Sequence, residues 1–467
     1  MKIKEFAQKA LNLFKNKTFR KVCISVTAAI LLVAIVFGGY MGIRSYILNY
    51  QPGGTPASTE VPADFTPVLR FVVASDVHVK GPDCVELVRL QKLFDSSYNY
   101  AASQDYKAID AFVFVADVID RGEISQWELF MDVVNRNIGD ARFITTFSNH
   151  EFMGTGSTER SVQYSGCNPN NSLVINGYHF ISFSQEDDRS FSLATKKWVK
   201  QELKKAEADT GDKPIFVFQH IPQTNTVYGS ELTGWGTMRL NSVLNGFPQI
   251  MYFSGHSHYN INNPLSINQK NFTSFNLGTL SYIELEKGLT GGTIPENAKN
   301  VGQYLIVEVD ANGAVKAMPY DIISDSFFKD RNSYADKQLV WYIPNAADRS
   351  TYAYTYGKRK QAADKPVFPE DARITLDSFS DGKATITFTQ ALDGEYLHKY
   401  KISVYNESGI LVKTYKIWSE YYFSSVDKTR TYTMAGLKPG KKYTVKIRGY
   451  DCYGKKTDKL LEGTINT

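Results

Sequence analysis

Five short polar stretches carry most of the metal-competent side chains in this 467-residue chain. They are Asp76-Val77-His78, Asp117-Val118-Ile119-Asp120-Arg121-Gly122, Asn149-His150-Glu151, His220 and Gly255-His256-Ser257-His258. Only seven histidines occur, and five lie in these stretches at the ends of apolar runs, a concentration that ordinary loop or core histidines do not explain. Carboxylate, imidazole and amide ligands without thiolates suit manganese, iron or zinc. There are more of them than one ion needs. Two divalent ions about 3.5–4 Å apart, bridged by one carboxylate, would use them all, generate a hydroxide at neutral pH and clamp a phosphoryl oxygen during in-line attack.

The elements that must position these groups are legible just upstream of each. The runs 71–74, 112–115, 143–147, 215–218 and 250–253 are short, apolar and rich in β-branched and aromatic residues, as buried strands are. Polar stretches at their carboxyl ends sit where open α/β sheets bind ligands. Helical spacing over 85–100, 125–138 and 195–208 separates the strands, so an α/β domain with a largely parallel centre is expected. Ser125 with Glu128 three residues on has the form of a capping box. From about 265 to 319 strand-like pieces and turns predict the second half of a two-sheet core.

The order DxH, DxxDRG, NHE, H, GHxH resembles the calcineurin-like metallophosphoesterases over about residues 68–310. The resemblance implies two mixed sheets flanked by helices. It implies that Asp76, His78 and His258 hold one metal, that Asn149, His220 and His256 hold the other, and that Asp117 bridges them. It gives His150 the role of general acid or charge stabiliser. The Asp-Val-Ile-Asp-Arg-Gly form resembles the phosphoprotein-phosphatase branch, in which Asp120 would orient that histidine and Arg121 would grip phosphate; a turn ion pair is the alternative for these two. Glycines usual in the family are replaced by Ala116 and Ser148, which strains the backbone wherever φ is positive.

Outside this region the composition changes. Residues 1–21 hold seven basic residues against Glu5 alone, and residues 22–43 hold no charge. Some 22 residues make roughly 33 Å of helix, enough to cross a hydrocarbon core of about 30 Å. The basic flank predicts a cytoplasmic N-terminus, and everything beyond is then exported. Most of the formal net charge of +5 belongs with that arm, so specific nucleic-acid binding is not expected. Residues 51–67 are rich in Pro, Gly, Ser and Thr, as tethers are. After 367 about seven short alternating strands predict a β-sandwich. Its stretch Gly436-Leu437-Lys438-Pro439-Gly440 through Gly454 resembles the end of fibronectin type III domains. Four cysteines form no CxxC pair, and a Cys84–Cys167 disulfide stays open. Tyr228 and Trp235 could stack on a base or sugar, but loop packing is the favoured reading.

The expected organisation is a basic arm (1–21), a transmembrane helix (22–43), a linker (44–67), a two-sheet metallophosphoesterase sandwich (68–320), a connecting segment (321–366) and a fibronectin type III-like domain (367–467). The expected function is a single-pass, extracytoplasmic phosphohydrolase using two divalent metal ions (Mn, Fe or Zn). Phosphodiesters or nucleotides lead as substrates, as a small molecule or a cell-surface phosphate polymer. The alternative is a catalytically weak surface binding or adhesion protein that uses the β-sandwich.

Overall fold

Each apolar run that precedes a polar stretch is a strand. In the computed structural model, β1 (Pro67–Ala74), β2 (Ala111–Val115) and β3 (Arg142–Thr146) run parallel, with Phe71 beside Ala111 and Val113 beside Ile144. The chain then builds a second sheet. It begins with a hairpin of β4 (Asn170–Ile175) and β5 (Tyr178–Phe183) and continues through β6 (Ile215–Phe218), β7 (Ile250–Ser254), β8 (Ile267–Gln269) and β9 (Thr273–Asn276), in the order β4-β5-β6-β7-β9-β8. β10 (Gln303–Asp310) returns to the first sheet, antiparallel to β1, and β11 (Val315–Asp321) pairs beside it. The described residues are 54–467 without 187–189, 232–233, 288, 290–291, 331–336 and 393–396. The expected basic arm and transmembrane helix lie outside them. Among the described residues no helix is long and apolar enough to cross a membrane.

Side-chain alternation on β1 divides two cores. Leu69, Phe71 and Val73 face the second sheet, where the Phe71 ring meets Phe180 at 5.1 Å and Phe216 at 4.9 Å. Val72 and Ala74 face the opposite layer, formed by α1 (Val85–Ser103) and α2 (Ile124–Asn137), with Leu90, Phe94, Trp127 and Phe130 buried against Phe112 and Phe114. A short α3 (Thr158–Ser165) follows, capped by Ser157. α4 (Leu193–Thr210) covers the outer face of the second sheet with Val199, Leu203 and Ala206. This is an α/β fold of two mixed sheets between helical layers.

Two local expectations are revised, and the open cysteine pairing is resolved. The capping box at Ser125 does not form: α2 begins one residue earlier, behind Glu123 without a side-chain cap, and Gln126 Oε1 instead accepts from Arg121 N (2.8 Å). Cys84 and Cys167 are free thiols that pack into the α1–α2 core, so no disulfide joins them. Within 321–366, β12 (Ser326–Phe327) and β13 (Trp341–Ile343) both pair with β11, and Trp341 is buried near Phe275 (5.9 Å). The aromatic content of that stretch is what lets it close the sheet edge.

Two further antiparallel sheets form the C-terminal part. β14 (Ile374–Ser380), β15 (Lys383–Thr389), β16 (Leu397–Tyr405), β17 (Leu411–Trp418), β18 (Thr429–Ala435), β19 (Lys442–Asp451) and β20 (Leu461–Asn466) assemble as β14-β15-β18 and β17-β16-β19-β20 around Ile386, Tyr400, Ile402 and Val445. This sandwich docks on the α/β part. Trp418, Tyr421 and Tyr422 are buried with Tyr228, Tyr259, Ile283, Leu285 and Val301. Tyr228 therefore packs the interface and offers no face to a ligand. Glu286 pairs there with His398 and accepts from the Tyr228 hydroxyl. Burial alone would raise the Glu286 carboxyl, but the His398 charge and hydrogen bond outweigh it and bring the group to about 2.

A depressed carboxylate stabilises the fold above its unfolded pKa, here 4.5, and that stabilisation is lost as pH falls toward about 2. Between those limits wild-type protein should lose on the order of 2–3 kcal/mol that Glu286→Gln does not. Unfolding midpoints of the two proteins measured across that window check this; parallel curves would refute it.

Candidate metal centre

Asp76 and His78 follow β1, Asp117 follows β2, Asn149 and His150 follow β3, His220 follows β6, and His256 and His258 follow β7. Both sheets thus deliver residues at the carboxyl ends of parallel strands. The loops after β1 and β2 stay zipped beyond the sheet: Asp76 N donates to Ala116 O (3.2 Å), His78 N to Asp117 O (2.9 Å) and Val79 N to Val118 O (3.0 Å).

The expected residues converge. Asp76, His78 and His258 form one potential ligand group, and Asp117, His220 and His256 form another, each with donor atoms mutually within 4.8 Å. Asp117 also groups with His78 and His150, which places its carboxylate between the two sets. Asp76 Oδ1 lies 3.2 Å from His258 Nε2, 3.7 Å from His220 Nε2 and 3.8 Å from His78 Nε2, while Asp117 Oδ2 lies 2.9 Å from His220 Nε2. Asn149 is half-buried beside His150, with its Oδ1 accepting from Ser148 Oγ (2.8 Å).

Main-chain carbonyls set the imidazole tautomers. His220 Nδ1 donates to Val115 O (2.7 Å), His258 Nδ1 to Tyr282 O (2.9 Å) and His150 Nδ1 to Asp120 O (2.7 Å). Each ring consequently turns an Nε2 lone pair inward, as metal-ligating histidines do. His78 Nε2 and His258 Nε2 face one another at 3.1 Å. Two nitrogens at about 2.0–2.1 Å from one tetrahedral ion sit at about that separation. Asp76 Oδ1 and His220 Nε2 are buried without a hydrogen bond. These observations fit divalent cations at both groups.

The electrostatics agree. Burial pulls the imidazoles down, yet Asp120, Asp76 and Asp117 hold His78 up at about 10, and Asp117 and Asp76 hold His220 up at about 9. Burial raises Asp76 and Asp117, but the surrounding histidines hold both well below the carboxylate range. Such a cluster keeps protons where cations would otherwise balance its charge.

His150 differs from the ligand histidines. Burial lowers it, and the His78 charge adds to that against the pull of Asp117. Its Nε2 is 4.0 Å from Asp117 Oδ2, and its ring stands edge-on to His78 at 4.4 Å. The Asp120 carboxylate does not orient His150: Oδ1 lies 3.5 Å from His78 Nδ1, and it is the Asp120 carbonyl that holds His150. The reason is that the turn at 117–122 points the side chain back along the β1 loop. Arg121 stands at the rim, 73% exposed, with Nε 3.8 Å from Asp120 Oδ2. That contact is too long for a hydrogen bond.

Backbone strain is concentrated here. Asp76, His78, Ala116, Asp117, His256 and His258 are six of the twelve non-glycine residues at positive φ among the described residues. Ala116, at φ +58°, carries the penalty anticipated for replacing glycine, about 1 kcal/mol or more. Ser148 is not at positive φ, so its Cβ is neutral, and its hydroxyl joins the network. At Gly255 a Cβ would fall 2.0 Å from Ser75 Oγ and 2.2 Å from Asp76 Oδ2, so no side chain fits.

Glu151 carries a role that spacing did not assign. Fully buried, it accepts from Ser148 N (2.8 Å), Asp117 N (3.1 Å) and Val118 N (2.8 Å), tying the β2 loop to the β3 loop. Burial and the Asp117 charge push its carboxyl up to about 8, against the pull of those donors. Its position directly after His150 was the available signal. Thr279, whose Oγ1 donates to Asp76 O (3.0 Å), and Tyr282, which acts through its carbonyl and lays its ring 4.4 Å from His258, had none.

An α/β double sheet that gathers two carboxylates and four imidazoles in two groups, with the Asp117 carboxylate between them, fits a dinuclear hydrolytic centre. Residues 69–260 match the family model "Calcineurin-like phosphoesterase". The segment is similar to that family, and with the two ligand groups the match supports a metal-dependent phosphoester hydrolase that holds two divalent cations. No curated protein matches the chain. Among solved structures, the purple acid phosphatase PPD1 from yellow lupin (Lupinus luteus) seeds is similar at 14% identity and a TM-score of 0.41, over 59% of this chain and 54% of that one. Domains d3–d4 of the rat CD45 extracellular region align at 17% identity and a TM-score of 0.17, over 22% of this chain and 51% of theirs. The third fibronectin III domain of human KIAA0343 protein aligns at 16% identity and a TM-score of 0.18, over 22% of this chain and 84% of that one. The chain thus spans about half the length of the lupin and rat chains it matches.

Glu151→Ala would orphan three buried N–H groups, each worth about 1–3 kcal/mol. Its unfolding free energy in urea should fall by at least about 3 kcal/mol, and an unchanged midpoint would contradict the tie described.

Proposed function

We propose that this protein is a membrane-tethered, extracytoplasmic phosphohydrolase acting on phosphodiesters or nucleotide phosphates. The observation that carries the hydrolytic reading is the Asp117 carboxylate standing between the group Asp76, His78, His258 and the group His220, His256. Asn149 completes the second set from the adjoining loop. Two divalent cations bound there would activate a water for attack and neutralise charge building on the phosphoryl oxygens.

The chain's own residues do the rest. Asp76, Asp117 and the tautomer-locked histidines hold the cations with little rearrangement. His150, with Nδ1–H committed to the Asp120 carbonyl, presents Nε2 toward the centre, where it takes up a proton from solvent and delivers it to the leaving oxygen as general acid. The exposed Arg121 guanidinium offers paired donors to the phosphate. The half-buried Trp235, edge-on to His256 at 5.1 Å, packs that imidazole. The uncharged stretch 22–43 behind a basic arm supports the tether, and export favours nucleotides and surface phosphodiesters over cytosolic phosphoproteins. The sandwich after 367 keeps its fibronectin type III-like reading.

Asp117→Asn should abolish metal-dependent turnover. His150→Gln should retain both cations yet slow the chemical step by about 10²–10⁴-fold. Chelator-stripped protein, tested on a panel of phosphomonoesters and diesters with Mn, Fe or Zn restored in turn, is the assay. An unimpaired His150→Gln enzyme would remove that residue's role, and no turnover with any ion would favour the adhesion alternative. Protease added to intact cells should release the catalytic domain; full protection would refute the topology.

A further inference from the structure

The loop 419–428 of the sandwich reaches the turn that carries His256 and His258. The Tyr421 carbonyl accepts from Asn262 Nδ2 (3.0 Å), and the Tyr422 carbonyl accepts from Gln303 Nε2 (3.1 Å). The other end of the same Gln303 amide accepts from Ile261 N (2.8 Å). The Tyr421 hydroxyl meets the Tyr228 hydroxyl at 2.9 Å, and the Tyr228 ring lies 4.5 Å from Tyr259, the residue after His258. A second route leads to His256. Gly229, at φ +83°, lies so close to the Tyr259 ring that an added Cβ would sit 2.7 Å from it. Its carbonyl accepts from Trp235 N (3.1 Å), and Trp235 rests against His256.

These contacts fall where support is needed. His256 and His258 hold φ of +69° and +55°. L-residues stay in that region only where surroundings over-determine them. Within the α/β part the turn is held by Asp76 through His256 N, by Tyr282 and Glu284 through His258, by Asn276 through the Tyr259 carbonyl and by Gln303 through Ile261 N. To these the sandwich adds the carbonyls of Tyr421 and Tyr422 and the Tyr421 hydroxyl.

We infer that the C-terminal sandwich is a working part of the catalytic centre, with Tyr421 as a positioning residue that keeps His256 and His258 in ligating geometry. A spacer or an adhesion module joined by a tether would have no reason to bury Tyr421 and Tyr422 against this turn. The inference deepens the two-cation reading above and rests on it for the identity of the ligands.

The test uses the full chain in mild detergent, stripped of metal and titrated with Mn or Zn by calorimetry, with kcat and KM on an aryl phosphodiester as a second readout. Tyr421→Ala should weaken cation binding at least tenfold and lower kcat more than it raises KM. Tyr421→Phe, which removes only the hydroxyl facing Tyr228, should show a smaller shift in the same direction. Ile402→Ala, buried in the sandwich core away from the turn, lowers thermal stability without touching these contacts and should leave cation affinity within twofold of wild type. The inference is overturned if folded Tyr421→Ala binds cations as wild type does, or if Ile402→Ala weakens them equally. Should Tyr421→Ala not fold, Tyr421→Phe decides, and wild-type affinity in that variant counts against the proposal. Affinity is read without turnover, so a chain that binds cations but cleaves nothing would sink the hydrolase reading and leave this one standing.

Discussion

Left-handed backbone at the strand ends is the constraint on which the rest of the structure depends. To bring ligands from separate loops into one small volume, the chain turns sharply at Asp76, His78, Ala116, Asp117, His256 and His258. None of these residues has glycine's freedom, so each turn is higher in energy than its neighbours. The surrounding hydrogen bonds answer that need. Glu151 binds three amides across two loops, Asp76 takes His256 N, and Gln303 bridges the turn after His258 to the sandwich. Strain and support are two sides of one design, in which the fold's stability is spent on holding geometry.

Charge follows from the same crowding. Two carboxylates and several imidazoles share a buried volume in which neither sign is solvated, and their ionisation is shifted strongly in opposite directions. His150, with burial against it and a cationic neighbour, is pushed the other way. Histidines on adjacent loops thus fall into two kinds by environment alone: those that keep a charge partner and one that is readily neutral. That division is what a site needs if some imidazoles are to bind cations while another handles a proton.

The strands beneath the site were legible because buried parallel strands are continuous apolar runs, and the polar groups following them stand out by type. The hairpin β4–β5 was missed even though Asn176-Gly177, both at positive φ, is a strong turn signal; its strand β4 is only partly buried and lacks an apolar run. The start of α2 was misplaced because a capping pattern in sequence competes with tertiary partners, and Gln126 found Arg121 N and Lys80 O. Side-chain ligands could be named from type and order. Groups that act through the main chain, such as the carbonyls of Val115, Asp120 and Tyr282, carry no such mark, because every residue has a carbonyl. The docking of the sandwich was equally silent, since its tyrosines read as ordinary strand-end aromatics.

The position of β10 has a consequence for how the molecule is made. β1 lies between β2 and β10, and Phe71 is hydrogen-bond neighbour to Val307. The second sheet is threaded in between, so the first cannot close until residues beyond 300 have left the ribosome. Pairings of such long sequence separation form slowly. Until then β1 exposes an edge that β10 later covers, a state prone to wrong association. A nascent chain would need shielding until β10 is made, and the strand ends that carry the two ligand groups would lack a closed first sheet beneath them before then.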